Sequence, residues 1–380
     1  MKPGLTPSPI REESHSVNSL RSRSRTHRRG VGALAVLLTS LLLLTGCSFQ
    51  SRQVANDADG TITIRFAHQF SSRHVITKNA LEVWMTEVEK RTNGKVKFEY
   101  FPAGQFIEAN DIFPAIRSGV IDVGYFVPAN AAGAELPLSD VAAVPGFGAD
   151  DTLEAMEDAY WELLSGILGE KDYLPKDVRP VMGILAGKYQ VLSAGEPLRN
   201  PEDWKGLSVR SAGGVSDFAI TNMGASSVHM NSGEVYEALQ RGTIDAGINT
   251  LEAMPSYALN EVARSASTNA PFGAGPTVLV IREELWKELP ADVQQAMNEA
   301  RDVATANLTA VYAKENAAAL EKLSSEVDFY ELTPEELAQM EPRMLEAQRQ
   351  WVAQRERPGK PAQEVLDAWQ QALERSRVSD

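Results

Sequence analysis

The chain has 380 residues and a formal net charge of −14, with five histidines and a single cysteine. Removing residues 1–46, which carry seven basic and two acidic side chains, leaves −19, an acidity that argues against nucleic acid or an anionic lipid surface as a partner. One cysteine excludes an intrachain disulfide and a thiolate metal site.

Residues 1–30 are Ser- and Arg-rich, Val31 to Leu44 are almost continuously apolar, and Leu44-Thr45-Gly46-Cys47 follows. A basic start, a short apolar core and small residues before a cysteine predict a lipoprotein signal peptide over 1–46, with Cys47 as the lipid-bearing mature N-terminus. Arg28-Arg29 lacks the flanking residues of a twin-arginine route, and residues 47–60 read as a polar tether. The remaining length, about 320 residues, exceeds an ordinary single domain and suggests two lobes.

Thr61 to Ala67 alternates Ile62, Ile64 and Phe66, a strand. Leu81, Trp84, Met85 and Val88 stand at helical spacing before an Asn93-Gly94 stop, and Lys95 to Phe101 alternates again. Asp111 to Ser118 reads as a helix and Ile121 to Phe126 as a strand, so parallel crossover units are expected. Asp150 to Leu168 is an acidic helix; Val178 to Ser193 is an apolar strand crossing from the first lobe to the second. Ala263 to Pro271 is a return crossing, and Pro276 to Arg282 a strand. Pro290 to Leu323 has no glycine or internal proline and predicts one helix, about 50 Å long. Thr333-Pro334 opens another helix, and the tail after Pro358 reads as helical and polar.

Ala115 to Gly124 (AIRSGVIDVG) matches Ala238 to Gly247 (ALQRGTIDAG) in pattern: a helix end, a glycine stop, then a strand carrying an aspartate. Such joints are common, but as a repeat the two copies predict one like-built unit per lobe, with Gly124 to Pro128 facing Gly247 to Glu252 across a cleft.

Lys205 to Thr250 carries the candidate site. Leu207 and Val209 alternate with Ser208 and Arg210, a strand that delivers Arg210 to its carboxyl end, where open α/β sheets place ligands. Ser211 to Gly214 supply free N–H groups at the next helix start, an anion cradle. A guanidinium fork suits a carboxylate; the same pattern also describes a surface arginine in a solvated pair. Asp122 and Asp245 are joint residues rather than a catalytic pair, and His15, His27, His68, His74 and His229 show no zinc spacing.

Trp204 to Arg210 (WKGLSVR), Met223 to Ser226 (MGAS), Gly233 to Gly242 (GEVYEALQRG) and Ile244 to Gly247 (IDAG) resemble the same region of TRAP transporter solute-binding proteins of the dicarboxylate-binding, DctP-like family, and similarity runs from Ile62 to the late 320s. The resemblance implies an α/β, two-lobed clamshell of the periplasmic-binding-protein type (type II-like), with a long helix spanning both domains. Domain I is expected over 61–186 plus about 272–312, and domain II over 187–271 plus about 313–380. It implies an extracytoplasmic receptor that binds a small organic acid and delivers it to TRAP-type permease subunits; the lipobox adds a lipid anchor on Cys47, no catalytic or cofactor motif is present, and although some members bridge their ligand through a metal, no motif here demands one.

By the same resemblance Arg210 takes the carboxylate, with Asn249, Gln69, His68, Ser211 and Ser232 as polar contacts. Tyr189 stands where some members have a second arginine, leaving one arginine clamp unless Lys188 turns inward; Asn231-Ser232-Gly233 replaces a pocket aromatic, and Val127 makes one wall apolar. These departures disfavour sialic-acid-like and C4-dicarboxylate ligands and point to an organic monoacid, hydroxylated or aromatic. A sensory lipoprotein that presents its ligand, or an enzyme on the same fold, are the competing readings.

Overall fold

A computed structural model describes residues 60–129, 135–148, 151–356 and 359–379. The expected signal peptide, Cys47 and all but the last residue of the tether lie outside the described residues.

Strand β1 (Ile62–His68) turns Ile62, Ile64, Phe66 and His68 into the core. It pairs in parallel with β2 (Val96–Phe101) on one side and β3 (Val123–Phe126) on the other. The crossovers are α1 (Glu82–Arg91) and α2 (Ile112–Arg117), as the alternating apolar periods predict. After α3 (Leu153–Ser165), the 16-residue β4 (Val178–Ser193) runs the length of the sheet.

The second half repeats the first. Strand β5 (Ser208–Ser211) pairs in parallel with β6 (Ser226–His229) and β7 (Ala246–Thr250), with α4 (Val215–Met223) and α5 (Val235–Gln240) as crossovers. The paired segments align in detail. Asp122 Oδ2 accepts the backbone N–H of Arg65 at 2.9 Å, and Asp245 Oδ2 accepts that of Ser208 at 2.8 Å. Each aspartate therefore ties the start of its own strand to the neighbouring parallel strand, and the preceding glycines, Gly119 and Gly242, adopt φ of 72° and 67°.

The halves are joined edge to edge. Strand β8 (Ser265–Ser267) pairs with β4 and with β10 (Asp328–Tyr330), and β9 (Ala274–Arg282) lies between β3 and β4, giving the order β2-β1-β3-β9-β4-β7-β5-β6. Strand β4 pairs with β9 from Val178 to Lys188 and with β7 from Tyr189 to Ser193. The changeover falls at a bulge after Leu185, where Gly187 takes φ of 122° and a Cβ would stand 1.9 Å from Glu252 Oε2. The return crossing thus begins in β8 and is carried chiefly by β9.

Past the short α6 (Glu283–Glu288), α7 (Ala291–Leu323) is the long helix expected. Val293, Met297, Ala300, Ala304, Leu308 and Tyr312 fall at intervals of three and four and pack into the core around β1 and α1. Its last residue, Leu323, packs with Leu192, Val235 and Leu239 of the second half, so 33 residues, about 50 Å of helix, tie both halves together. Helix α8 (Pro334–Glu356) opens on a capping box: the Glu336 N–H donates to Thr333 Oγ1 and the Thr333 N–H donates to Glu336 Oε2. The tail is more than polar. Helix α9 (Ala362–Ser379) buries Val365, Trp369, Ala372 and Leu373 and packs against α3 of the first half, although residues 313–380 were expected with the second.

Glu157 is buried where α3, β4 and α7 meet. Its Oε1 accepts the Leu185 N–H at 3.3 Å, and Oε2 accepts the Thr309 hydroxyl at 3.1 Å. Burial raises its pKa from 4.5 to about 8. The folded state therefore favours the neutral acid: this contribution is fully present below pH 4.5 and is lost as pH rises through 8. Glu157→Gln keeps both partners and removes the charge. Relative to the parent, it is expected to be about 2–4 kcal/mol more stable at pH 8.5 and to show no gain at pH 4.5, measured by urea unfolding. An equal difference at both pH values would refute this.

Candidate functional site

Arg210 lies near the end of β5, but it is not a surface arginine: it is 2 % exposed. Its side chain runs over Gly247 of the paired strand, where a Cβ would stand 3.3 Å from Arg210 Cβ. The guanidinium donates from Nε to Met230 O (3.1 Å), from Nη1 to Ile248 O (2.7 Å) and from Nη2 to Ser232 Oγ (3.3 Å). Among the described residues no carboxylate lies within ion-pair distance of it. Burial pulls its pKa below the ordinary arginine value, while Tyr189, Tyr257 and Glu234 oppose that shift. A buried, unneutralised cation is costly, and an anion placed against it recovers that cost.

The guanidinium borders a cavity of about 30 Å3 between the strand ends of the two halves. Val127, after β3, and Asn249 and Thr250, in β7, all line it, so the repeated segments meet at one place as their pattern implies. Asn249 Nδ2 is buried and has no hydrogen-bond partner, a donor available beside Arg210. Tyr189 and Ser232 also line the cavity, whereas Lys188 does not. A wider cleft of about 1480 Å3 shares Tyr257 with it and carries Arg73, Lys78 and Lys188 on its walls. Arg210 is absent from that lining, so the room and the fixed charge belong to adjoining spaces.

Three expected contacts are placed differently. His68 continues the inward face of β1; it is fully buried and exchanges a 2.6 Å hydrogen bond between Nε2 and the Tyr100 hydroxyl. Burial, with His74 nearby, lowers its pKa to about 3. It is a core residue, as a strict period of two along β1 would have indicated. Gln69, half-buried on the opposite face, lines neither cavity.

Ser211 also turns away, accepting the Gly213 N–H at 2.7 Å. The start of α4 is not an open anion cradle, because a carboxylate of the chain already occupies it. Asp140 Oδ2 accepts the Val215 N–H at 3.0 Å and pairs with Arg355 Nη2 at 3.1 Å, and its Oδ1 accepts the Trp351 indole N–H at 2.8 Å. The cradle chemistry is as read from the sequence, but it serves the core.

Phe70, His74 and Tyr257 line the cavity without having been assigned to it. Tyr257 sits among short 3-10 turns over 251–261 that no apolar period announces. His74 packs between Phe70 (4.9 Å between centroids, planes at 59°) and Tyr257 (5.6 Å, 57°). Its Nδ1 accepts the Ile76 N–H at 3.2 Å, and burial holds its pKa down to about 4. Asp122 and Asp245 do not border the cavity, so they make no catalytic pair there. No group of three His, Cys, Asp or Glu side chains gathers around a metal position among the described residues.

The sequence profile of the bacterial extracellular solute-binding proteins, family 7 (DctP), matches residues 66–355. The C4-dicarboxylate-binding periplasmic protein DctP of Rhodobacter capsulatus is 27% identical over 287 residues, covering 74% of this chain and 83% of that protein. The crystal structure of a TRAP solute-binding protein from Rhodoferax ferrireducens T118, in complex with copurified benzoate, superposes with a TM-score of 0.74 at 21% identity, covering 84% of this chain and all of that one. A TRAP periplasmic solute-binding protein from Bordetella bronchiseptica with bound mandelate gives 0.72 at 20%, covering 83% and 99%. At these identities the two structures establish the clamshell fold. The match over most of its length places this chain among the bacterial extracellular solute-binding proteins, family 7, the solute receptors of TRAP transporters.

Proposed function

We propose that this protein captures a small organic acid anion between the two halves of its sheet and delivers it to TRAP-type permease subunits in the membrane. The carrying observation is the buried Arg210, which has three hydrogen-bond acceptors and, among the described residues, no carboxylate partner. Its fork receives the ligand carboxylate, assisted by Asn249 Nδ2. With Arg210 as the charged side chain on this cavity wall, the reading favours an acid with one carboxylate. Crystallised relatives hold benzoate and mandelate, which are such acids.

The halves part and close about the β4 bulge at Gly187 and the long helix α7, corresponding to lobes at 61–186 plus about 272–312 and 187–271 plus about 313–356, with α9 carried on the first. The signal peptide and Cys47 make the receptor an extracytoplasmic lipoprotein, and binding is its whole task, without a chemical step.

A thermal-shift screen of the purified protein against small organic acids tests this. An acid at about 100 times its Kd is expected to add about 2.7 kcal/mol of stability, visible as a rise in Tm. Stabilisation by neutral or cationic solutes, with none by acids, would refute it.

A further inference from the structure

The charge and shape of the cavity wall narrow the ligand further. This step rests on the reading of the site as an organic-acid receptor. Among the described residues Arg210 is the one Lys or Arg side chain lining this cavity, the cations Arg73, Lys78 and Lys188 lining the adjoining cleft instead, so a second ligand carboxylate lodged beside Arg210 would be desolvated without a cation. Around Arg210 the walls are flat or apolar: Phe70, Val127, Tyr189, Ala253, Tyr257 and Pro276 line the same space. The space of about 30 Å3 admits a ring only once the halves part, and the walls then match the faces of a planar ring better than a hydroxylated chain, each of whose hydroxyl groups needs a partner.

One wall group requires more than a plain ring. His74 is held between Phe70 and Tyr257, with Nδ1 accepting the Ile76 N–H. That bond assigns the proton of the neutral imidazole to Nε2, which makes His74 a hydrogen-bond donor on the cavity wall. It enters from the loop after β1, whereas Arg210 comes from β5 in the other half of the sheet. We infer that the captured acid is an aromatic monocarboxylate with an oxygen substituent on its ring, and that His74 recognises this oxygen through its Nε2–H. Arg210 and Asn249 hold the carboxylate from one half while His74 reads the substituent from the other. Only a ligand with both groups engages both halves through hydrogen bonds, so the same contact that selects the ligand also favours closure.

The test is calorimetric titration at pH 7.5 with benzoate, 3- and 4-hydroxybenzoate, terephthalate and pyruvate. At least one hydroxybenzoate is expected to bind about ten-fold more tightly than benzoate, the effect of one added hydrogen bond in a buried site. His74→Asn keeps an acceptor for the Ile76 N–H and removes the donor at the Nε2 position. It is expected to reduce the hydroxybenzoate-to-benzoate affinity ratio to within about two-fold, a ratio that a uniform loss of affinity would not change, and His74→Gln, with an amide nitrogen near that position, to restore part of it. A preference that survives in His74→Asn overturns the role of His74. Tightest binding of terephthalate or pyruvate, abolished in Arg210→Ala, overturns the aromatic assignment and leaves the organic-acid reading standing. Binding of no acid removes both. Should the His74 variants fail to fold, the parent protein still decides: benzoate binding as tightly as both hydroxybenzoates refutes the inference.

Discussion

Arg210→Ala is expected to weaken binding of the captured acid by at least about ten-fold, because a charge-assisted hydrogen bond to a carboxylate contributes roughly 1.5–3 kcal/mol. Arg210→Lys should fall between the two: it keeps a positive charge but loses the planar fork. The buried setting adds a second expected result that a surface arginine would not give. Arg210 is 2 % exposed and donates only to Met230 O, Ile248 O and Ser232 Oγ. Without ligand it is a desolvated charge with no counter-ion among the described residues, so Arg210→Met, which roughly keeps the volume, should leave the free protein as stable as the parent or more so. Affinity and stability should therefore move in opposite directions. Titration calorimetry and urea unfolding of the same variants decide the point; unchanged affinity in Arg210→Ala would remove the arginine from the site.

Asp140→Ala should be the most damaging single change outside the cavity, costing about 3–5 kcal/mol, the range for breaking a buried ion pair from one side. The loss has three parts. Arg355, 7 % exposed, keeps only its bonds to Pro137 O and Gln354; the Trp351 indole N–H loses its acceptor; and the first turn of α4 loses the carboxylate that caps the Val215 N–H. Asp140→Asn keeps an acceptor and should cost less. The double variant Asp140→Ala/Arg355→Met should recover part of the loss, since no unpaired charge remains. A denaturation midpoint for Asp140→Ala close to the parent's would show that the network contributes little.

Local pattern and long-range packing account for what could be read in the chain and what could not. The 33-residue helix was legible because nothing between Ala291 and Leu323 interrupts it. The two aspartate joints were legible because each is a local helix–glycine–strand step repeated at 115 and 238. His68 was misplaced although the information was present: the alternation through Ile62, Ile64 and Phe66 carries it into the core. The cap on α4 was not legible, since Asp140 lies 75 residues before the N–H it accepts and 215 before its arginine. Tyr257 reached the cavity through irregular turns whose direction tertiary packing sets. Arg210 was found at its strand end, but the absence of a carboxylate beside it, which makes it a credible anion site, emerges only from the assembled fold.

The position of β9 has a consequence for how the chain acquires its structure. The strands of the first half, β1 to β3, are complete by residue 126, yet Val123 pairs with Ile281 and Trp84 donates its indole N–H to Met297 O, 213 residues away. Synthesis must pass through β9 and the first turns of α7 before that half can close its sheet edge and cover Trp84. Contacts of such long sequence separation carry a large loop-closure cost and slow folding. A nascent chain ending before residue 274 would hold an open strand edge and an uncovered apolar face. For a receptor that acts beyond the cytoplasmic membrane, this order of assembly keeps the polypeptide pliable until its last third has been made, the condition in which a chain can be threaded through a narrow channel.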